Sequence, residues 1–314
     1  MTAILTRAER EDALMGRDTV IDGPFGRSNL VLSVPTGDLV AAYRRKCGVD
    51  VSPWFGALSE IHLFECAETG YRFWRPGSIA GDEDFYKLLA EHWPDYYRSE
   101  RWEYPFVRAS LSRADRVLEV GCGRGFFLAS LEGRIADALG LELNPEAIAT
   151  KATRFEILRA TIERLARERP NGFDVVCSFQ VLEHVVEPRS FLEACVRCLR
   201  PGGILALSTP NYGAATLERR EDAFDLPPHH MGHFSAAVYR RVAERLGLAV
   251  EAIEIEPRYP RLDEPIAPAT RASLVYRAAR RLSYAALALA YDVAREPGTN
   301  ILAILRKPRQ EPRF

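Results

Sequence analysis

Residues 117 to 128 read Val117-Leu118-Glu119-Val120-Gly121-Cys122-Gly123-Arg124-Gly125-Phe126-Phe127-Leu128. An apolar run carrying one acid meets three glycines at alternate positions and then resumes as an apolar helix pattern. The pattern predicts a strand, a tight turn and a helix N-terminus, the arrangement that lets a backbone approach a nucleotide-like ligand. Spacing narrows the ligand. A dinucleotide fingerprint, Gly-x-Gly-x-x-Gly, needs its third glycine at position 126. Phe126 stands there, and the third glycine comes one residue early, at 125. A nicotinamide oxidoreductase is therefore a poor reading.

Three further stretches fall in order behind this turn. Leu139-Gly140-Leu141-Glu142-Leu143-Asn144-Pro145 puts an acid 21 residues after Gly121. An acid at the end of a second strand can accept both hydroxyls of a ribose, although nicotinamide enzymes use the same device. Phe173 to Val185 has the pattern of a buried strand followed by Gln180-Val181-Leu182-Glu183-His184. Leu199-Arg200-Pro201-Gly202-Gly203 turns into another apolar run that ends at Asn211.

Glu-x-Gly-x-Gly-x-Gly resembles the first motif of the class I S-adenosylmethionine (SAM) methyltransferases. The four stretches together, over about 95 residues, resemble that family's ubiquinone-biosynthesis-like branch. The resemblance implies a doubly wound Rossmann-like α/β sheet of seven strands, the last one antiparallel, with SAM as cofactor. It implies that Gly121, Gly123 and Gly125, with Cys122 among them, pass the methionine and ribose. Glu119 would order the turn and reach the amino group, and Glu142 with Leu143 would hold the ribose. Thr161 and Ile162 stand where similar enzymes meet the adenine, although an ordinary helix start explains Thr161 equally well. Phe179 and Gln180 end the fourth strand, where the methyl group should lie.

Periodicity supports that fold independently. Strand patterns lie near 116–120, 137–141, 156–159, 173–178, 203–208 and 248–256, and helical patterns near 124–132, 145–154, 163–168, 187–199 and 235–246. Such alternation implies a parallel sheet covered on both faces, with ligand at the carboxyl ends of the strands. Asn300 to Arg306 reads as the last strand. Residues 1–108 form an N-terminal accessory region and lid, 109–308 the SAM-binding domain with a helical insertion at 261–296, and 309–314 a tail. In the first region Leu30–Pro35, Ile61–Cys66 and Gly70–Trp74 read as strands, the last two as a hairpin around Thr69-Gly70, with a helix near 84–92. This small α+β region resembles a module of some bacterial class I methyltransferases that can carry a zinc ribbon. Only Cys47 and Cys66 stand there, and four soft ligands are needed, so zinc is not expected.

The segment from His92 to Tyr104 holds two Trp and three Tyr with two Arg. It reads either as a packing seam or as a lid, in which Tyr97 and Arg101 would meet the methionine carboxylate as the preceding helix does in similar enzymes. A net charge of −1 gives no electrostatic footprint for nucleic acid. Neither a leader nor a run long enough to span a membrane is evident, and the cysteine placement fits a reducing cytoplasm better than a disulfide framework. Cys195 and Cys198 share a helix face and read as buried packing residues. Residues 271 to 295 pattern as a basic amphipathic helix, able to pack on its own domain, cap a lipophilic pocket or touch a membrane surface.

Methyl transfer needs alignment and exclusion of water, and a base only where the acceptor proton is held tightly. Candidate bases are His229 and His230 in Pro227-Pro228-His229-His230-Met231-Gly232-His233, and His184 after the fourth strand. A similar Pro-Pro-His-His stretch recurs in the methyltransferase branch, without fixing its task. The histidines could equally be structural. A metal site is not expected, because His-His-x-x-His on a loop supplies neither convergent ligands nor rigid spacing. The leading expectation is a SAM-dependent methyltransferase with a small-molecule acceptor such as a sugar, glycolipid or quinone-like compound. The rival is a SAM-binding regulatory or scaffold protein without catalysis.

Overall fold

The computed structural model describes residues 19–92, 98–213, 223–256 and 299–309. The chain begins with β1 (Val20–Gly23) and β2 (Gly26–Pro35), then α1 (Thr36–Cys47), α2 (Ser52–Phe55), β3 (Glu60–Cys66), β4 (Arg72–Arg75) and α3 (Glu83–His92). After α4 (Tyr104–Ala109) strands and helices alternate: β5 (Arg116–Val120), α5 (Phe126–Ser130), β6 (Asp137–Leu141), α6 (Pro145–Ala149), β7 (Glu156–Leu158), α7 (Ile162–Glu168), β8 (Phe173–Phe179), α8 (Pro188–Cys198) and β9 (Leu199–Pro210). The two-residue β10 (Gly232–His233), α9 (Ala236–Arg245), β11 (Ala249–Ile255) and β12 (Asn300–Arg306) complete it.

Local chemistry accounts for many of these boundaries. Asn144 accepts the Glu146 N–H at 2.9 Å and Pro145 opens α6, a capped start with a pre-set φ. Ser235 caps α9 by accepting from Val238 at 3.3 Å. Gly48, at φ 72°, ends α1 in the left-handed conformation that favours glycine. In α8 the buried set Phe191, Leu192, Ala194, Cys195 and Cys198 lies on one helical face. Its two cysteines are buried free thiols, as their shared helix face implied.

The larger sheet has the order β11-β12-β9-β8-β5-β6-β7. The β6–β7, β5–β6, β5–β8 and β8–β9 pairs are parallel, while β12 runs antiparallel between β9 and β11. This is the seven-stranded, doubly wound sheet with its last strand antiparallel that the resemblance implied. β5 is buried on both faces, as a central parallel strand must be: Leu118 and Val120 pack into one apolar cluster, Val117 into the other. The order reverses between β5 and β8, so a crevice opens at the carboxyl ends of those two strands.

The smaller sheet, β1-β2-β3-β4-β10, is antiparallel throughout. Its fifth strand comes from the histidine loop, some 160 residues along the chain from β4: Gly232 pairs with Phe73 and His233 with Arg72. A Cβ at Gly232 would lie 2.0 Å from the Tyr71 hydroxyl, so the close approach requires glycine. The two sheets share an apolar cluster in which Phe25, Phe64, Tyr71 and Phe73 join Leu118, Leu182, Phe234 and Tyr239. Met231 lies in a further cluster with Leu39, Tyr43, Trp74 and Phe85.

Among the described residues no helix is long and apolar enough to cross a membrane. The expected insertion at 261–296, the basic helix at 271–295, Tyr97 and the tail from 310 lie outside the described residues.

Phe73, 1% exposed, stacks on Tyr71 with ring centroids 5.8 Å apart. Phe73→Ala is expected to destabilise the protein by about 3–5 kcal/mol. Because its cluster spans both sheets, denaturation followed by tryptophan fluorescence and circular dichroism should show one shifted transition. Two separated transitions would mean that the sheets unfold as independent units.

Candidate active site

The glycine turn follows β5. Gly121, Gly123 and Gly125 have φ of 71°, 53° and 74°, all in the left-handed region where a side chain is strained. The Gly121 and Cys122 N–H groups donate to the Leu141 carbonyl at 2.8 and 3.0 Å, tying the turn to the end of β6. A Cβ at Gly121 would meet a Val181 methyl at 2.4 Å. One residue beyond β6, Glu142 closes the arrangement. Its Oε2 accepts the Gly123 N–H at 2.7 Å, and its Oε1 accepts those of Leu143 and Asn144 at 2.7 and 2.9 Å. Three backbone donors therefore fix this carboxylate. Oε1 has thereby used both of its lone pairs, and Oε2 keeps one for a ligand hydroxyl.

The turn opens into a cavity of about 890 Å³. Glu119, Gly121, Cys122, Gly123, Glu142 and Leu143 line it, as do Thr161, Ile162, Phe179, Gln180 and Arg101. So do His184, His229 and His230. The fold thus brings together nearly every residue singled out in the sequence. Gly125 stays out of the lining. It stands at the N-cap of α5, where a Cβ would lie 2.7 Å from a Thr153 methyl, so it serves close packing. Thr161 has two tasks: it caps α7, accepting from Arg164 at 3.4 Å, and it faces the cavity. Burial pushes the Cys122 thiol far above its ordinary range, which makes it a packing residue rather than a nucleophile.

Buried carboxyls sit around Arg101. Glu119 is 3% exposed, and its Oε2 has no hydrogen-bond partner among the described residues. Burial pushes its pKa up to about 8, opposed by the Arg101 charge and reinforced by that of Glu142. Glu183, 1% exposed, is likewise raised to about 8 by burial, again opposed by Arg101. Glu103 accepts from the Ser208 hydroxyl at 2.8 Å and is raised by burial in the same way.

The histidines form a tight cluster. Ring centroids are 4.6 Å apart for His184 and His229, 5.0 Å for His184 and His230, and 4.3 Å for the stacked His229 and His230. Their loop is bolted to the N-terminal sheet and its helices. Tyr43 donates to the Leu226 carbonyl at 2.8 Å, Gly81 to Pro228 at 2.8 Å and Trp74 to Met231 at 2.9 Å, while Met231 donates to Glu183 at 2.7 Å. Burial holds all three imidazoles neutral, His184 down to about 4 and the other two well below the ordinary value. His233 belongs instead to β10, where its ring stacks on Tyr212 at 3.9 Å.

Two contributors escaped the sequence reading. α3 was legible as a helix but not as a cavity wall, and Glu83, Tyr86 and Leu89 from it line the space. The Tyr86 ring stands edge-on to His184 at 5.6 Å. Glu183 was read only as part of Leu-Glu-His. Its burial depends on the turn at Leu182–His184 folding beneath the histidine loop, which no local pattern announces.

Comparison with known proteins agrees with this geometry. The family model described as "Methyltransferase domain" matches residues 93–253. A ubiquinone biosynthesis O-methyltransferase of Aliivibrio fischeri is 33% identical over 118 residues, 35% of this chain and 50% of that protein. One from Methylococcus capsulatus is 31% identical over 166 residues, 49% of this chain and 65% of that protein. The chain spans about half the length of the first of these curated relatives. A chain from the complex between the Haloferax volcanii Trm112 methyltransferase activator and a methyltransferase superposes with a TM-score of 0.52 at 21% identity, covering 73% of this chain and 98% of that one. That likeness is one of fold. With the family model covering more than half of its length and the glycine turn, Glu142 and the seven-stranded sheet in place, the chain belongs to the methyltransferase-domain family, in its class I form.

Proposed function

We propose that the protein transfers the methyl group of SAM to a hydroxyl of a small-molecule acceptor, quinone-like, sugar or glycolipid in kind. The observation that carries this reading is the single cavity that joins the glycine turn and Glu142 to the histidine cluster. The names of the relatives, ubiquinone biosynthesis O-methyltransferases, support an oxygen acceptor.

In this reading Glu142 holds the ribose, accepting a hydroxyl on Oε2, and the Gly121–Gly123 backbone passes the methionine portion. Glu119 faces the amino group, and Arg101 offers its fork to the carboxylate. Phe179 and Gln180, at the end of β8, flank the sulfonium. The acceptor oxygen attacks the methyl carbon in line, the carbon–sulfur pair stays on sulfur, and S-adenosylhomocysteine (SAH) leaves. Alignment and exclusion of water supply most of the acceleration. His184, His229 and His230 provide the polar chemistry at the acceptor: held neutral by burial, one of them receives the acceptor's proton.

Two measurements test the cofactor half. Isothermal titration should show SAH binding that Glu142→Ala weakens by roughly 10–100-fold, the loss of charge-assisted bonds to the ribose. NADH should not bind, and tighter binding of NADH than of SAH would sink the assignment. The second concerns protons. Glu119 is neutral below about 8 in the empty site, and a ligand ammonium favours its ionised form. Binding near pH 7 should therefore release up to one proton, so the observed enthalpy should vary with the ionisation enthalpy of the buffer, and affinity should rise with pH toward 8. Glu119→Gln should abolish that buffer dependence. An enthalpy independent of buffer in the wild type would remove Glu119 from the ammonium.

A further inference from the structure

We propose that His184, His229 and His230 form a site for one divalent transition-metal ion of the zinc class, with Glu183 beside it and a coordination position open to the cavity. Each histidine offers one imidazole nitrogen, and these three atoms lie within 4.8 Å of one another. The trio is not the one the loop spacing offers. His184 enters from the turn after β8, 45 residues away, and His233 is withdrawn into β10.

Hydrogen bonding sets which nitrogen faces the ion. His184 Nδ1 lies 2.6 Å from the His229 carbonyl, and His229 Nδ1 lies 3.0 Å from the Phe224 carbonyl. A carbonyl only accepts, so both Nδ1 atoms carry the hydrogen and both Nε2 atoms carry the lone pair. His230 follows by one more step. Tyr212 donates its hydroxyl hydrogen to Asp225 Oδ1 at 3.1 Å. The Tyr212 oxygen, 2.9 Å from His230 Nδ1, is thus left to accept, and Nδ1 again is the donor. Three imidazoles with Nδ1–H tied to carbonyl or hydroxyl oxygens and Nε2 basic make the outer-shell pattern of metal-ligating histidines.

Glu183 is an independent pointer. Its carboxyl is buried and faces the cavity, and neither oxygen has a hydrogen-bond partner among the described residues. Its Oε1 lies 3.8 Å from His184 Nε2. Arg101 acts on this carboxyl only through its charge, and no group bonds it directly; a dication among the imidazoles supplies a positive charge beside it. The required adjustment is small. Nitrogens no more than 4.8 Å apart lie within about 2.8 Å of a common centre, so each moves by at most about 0.7 Å to reach a zinc–nitrogen bond. Nitrogen ligands select zinc, cobalt, nickel, copper or iron over magnesium. Three protein ligands with an open position resemble a catalytic rather than a structural zinc site. The role that follows rests on the methyl-transfer reading: the ion would hold the acceptor oxygen toward the methyl group and acidify it, and the hydroxyl proton would pass to the neighbouring Glu183 carboxylate.

The test uses the tag-free full-length protein, stripped with a chelator and titrated with Co²⁺. One equivalent should bind with the intense visible absorption of a low-coordinate nitrogen site, and Zn²⁺ should displace it. His184→Asn, His229→Asn and His230→Asn should each abolish the spectrum, and Glu183→Gln should weaken binding about 10–100-fold. His233→Asn should leave it intact. SAH titration and thermal melting of each variant establish that it is folded. A wild type that binds SAH but gives no Co²⁺ spectrum overturns the site, as does a spectrum that survives in folded variants of the trio. A Co²⁺ spectrum without SAH binding keeps the site and discards the methyl-transfer reading.

Discussion

The pairing of β10 with β4 is the contact on which the rest of the site depends. Only two residues take part, Gly232 and His233, yet they fix the end of the loop that carries His229 and His230. The strand fits because residue 232 has no side chain beneath the Tyr71 hydroxyl. Immediately before it, Met231 bonds to Trp74 on one side and to Glu183 on the other. The histidines thus take their positions from the N-terminal sheet and from the turn after β8 together. Neither half of the molecule could place them alone.

The cofactor end has a different logic. There the rigidity is local: Gly121 and Cys122 bond to the end of β6, and Glu142 is gripped by three backbone donors within the same crossover. These contacts come from residues close in sequence or on neighbouring parallel strands. A site built this way can be kept intact while the acceptor side varies, because the walls near the histidines come from α3 and the loop before β10.

That division explains what could be read from the sequence. The strands and helices of the larger sheet carried their own periodicity, and the glycine turn and Glu142 lay at a spacing fixed by one strand–helix–strand unit. Asn144-Pro145 announced a helix start because a cap is a local hydrogen bond, and Ser235 caps the helix expected near 235 in the same way. His184, His229 and His230 were legible one by one as candidate bases, but their convergence was not, for the opposite reason. His184 and His229 meet across 45 residues, and the meeting depends on β10 crossing to another sheet. The contiguous pattern His-His-x-x-His grouped His233 with its neighbours, whereas strand pairing turns it away. Gly125 was misleading in a smaller way: its left-handed backbone belongs to the turn, but the space it vacates is filled by Thr153 and Ile157 rather than left open to the cavity.

The exchange of β10 also constrains how molecules enter. Its backbone bonds and the Tyr43, Gly81 and Trp74 contacts latch the histidine loop to the N-terminal sheet at several points. That loop cannot swing as an independent flap without breaking them together. Traffic to and from the histidine side must therefore either pass through an opening that already exists or carry the whole small sheet along as a door, with the shared aromatic cluster of Tyr71, Phe73 and Phe234 as its hinge plate.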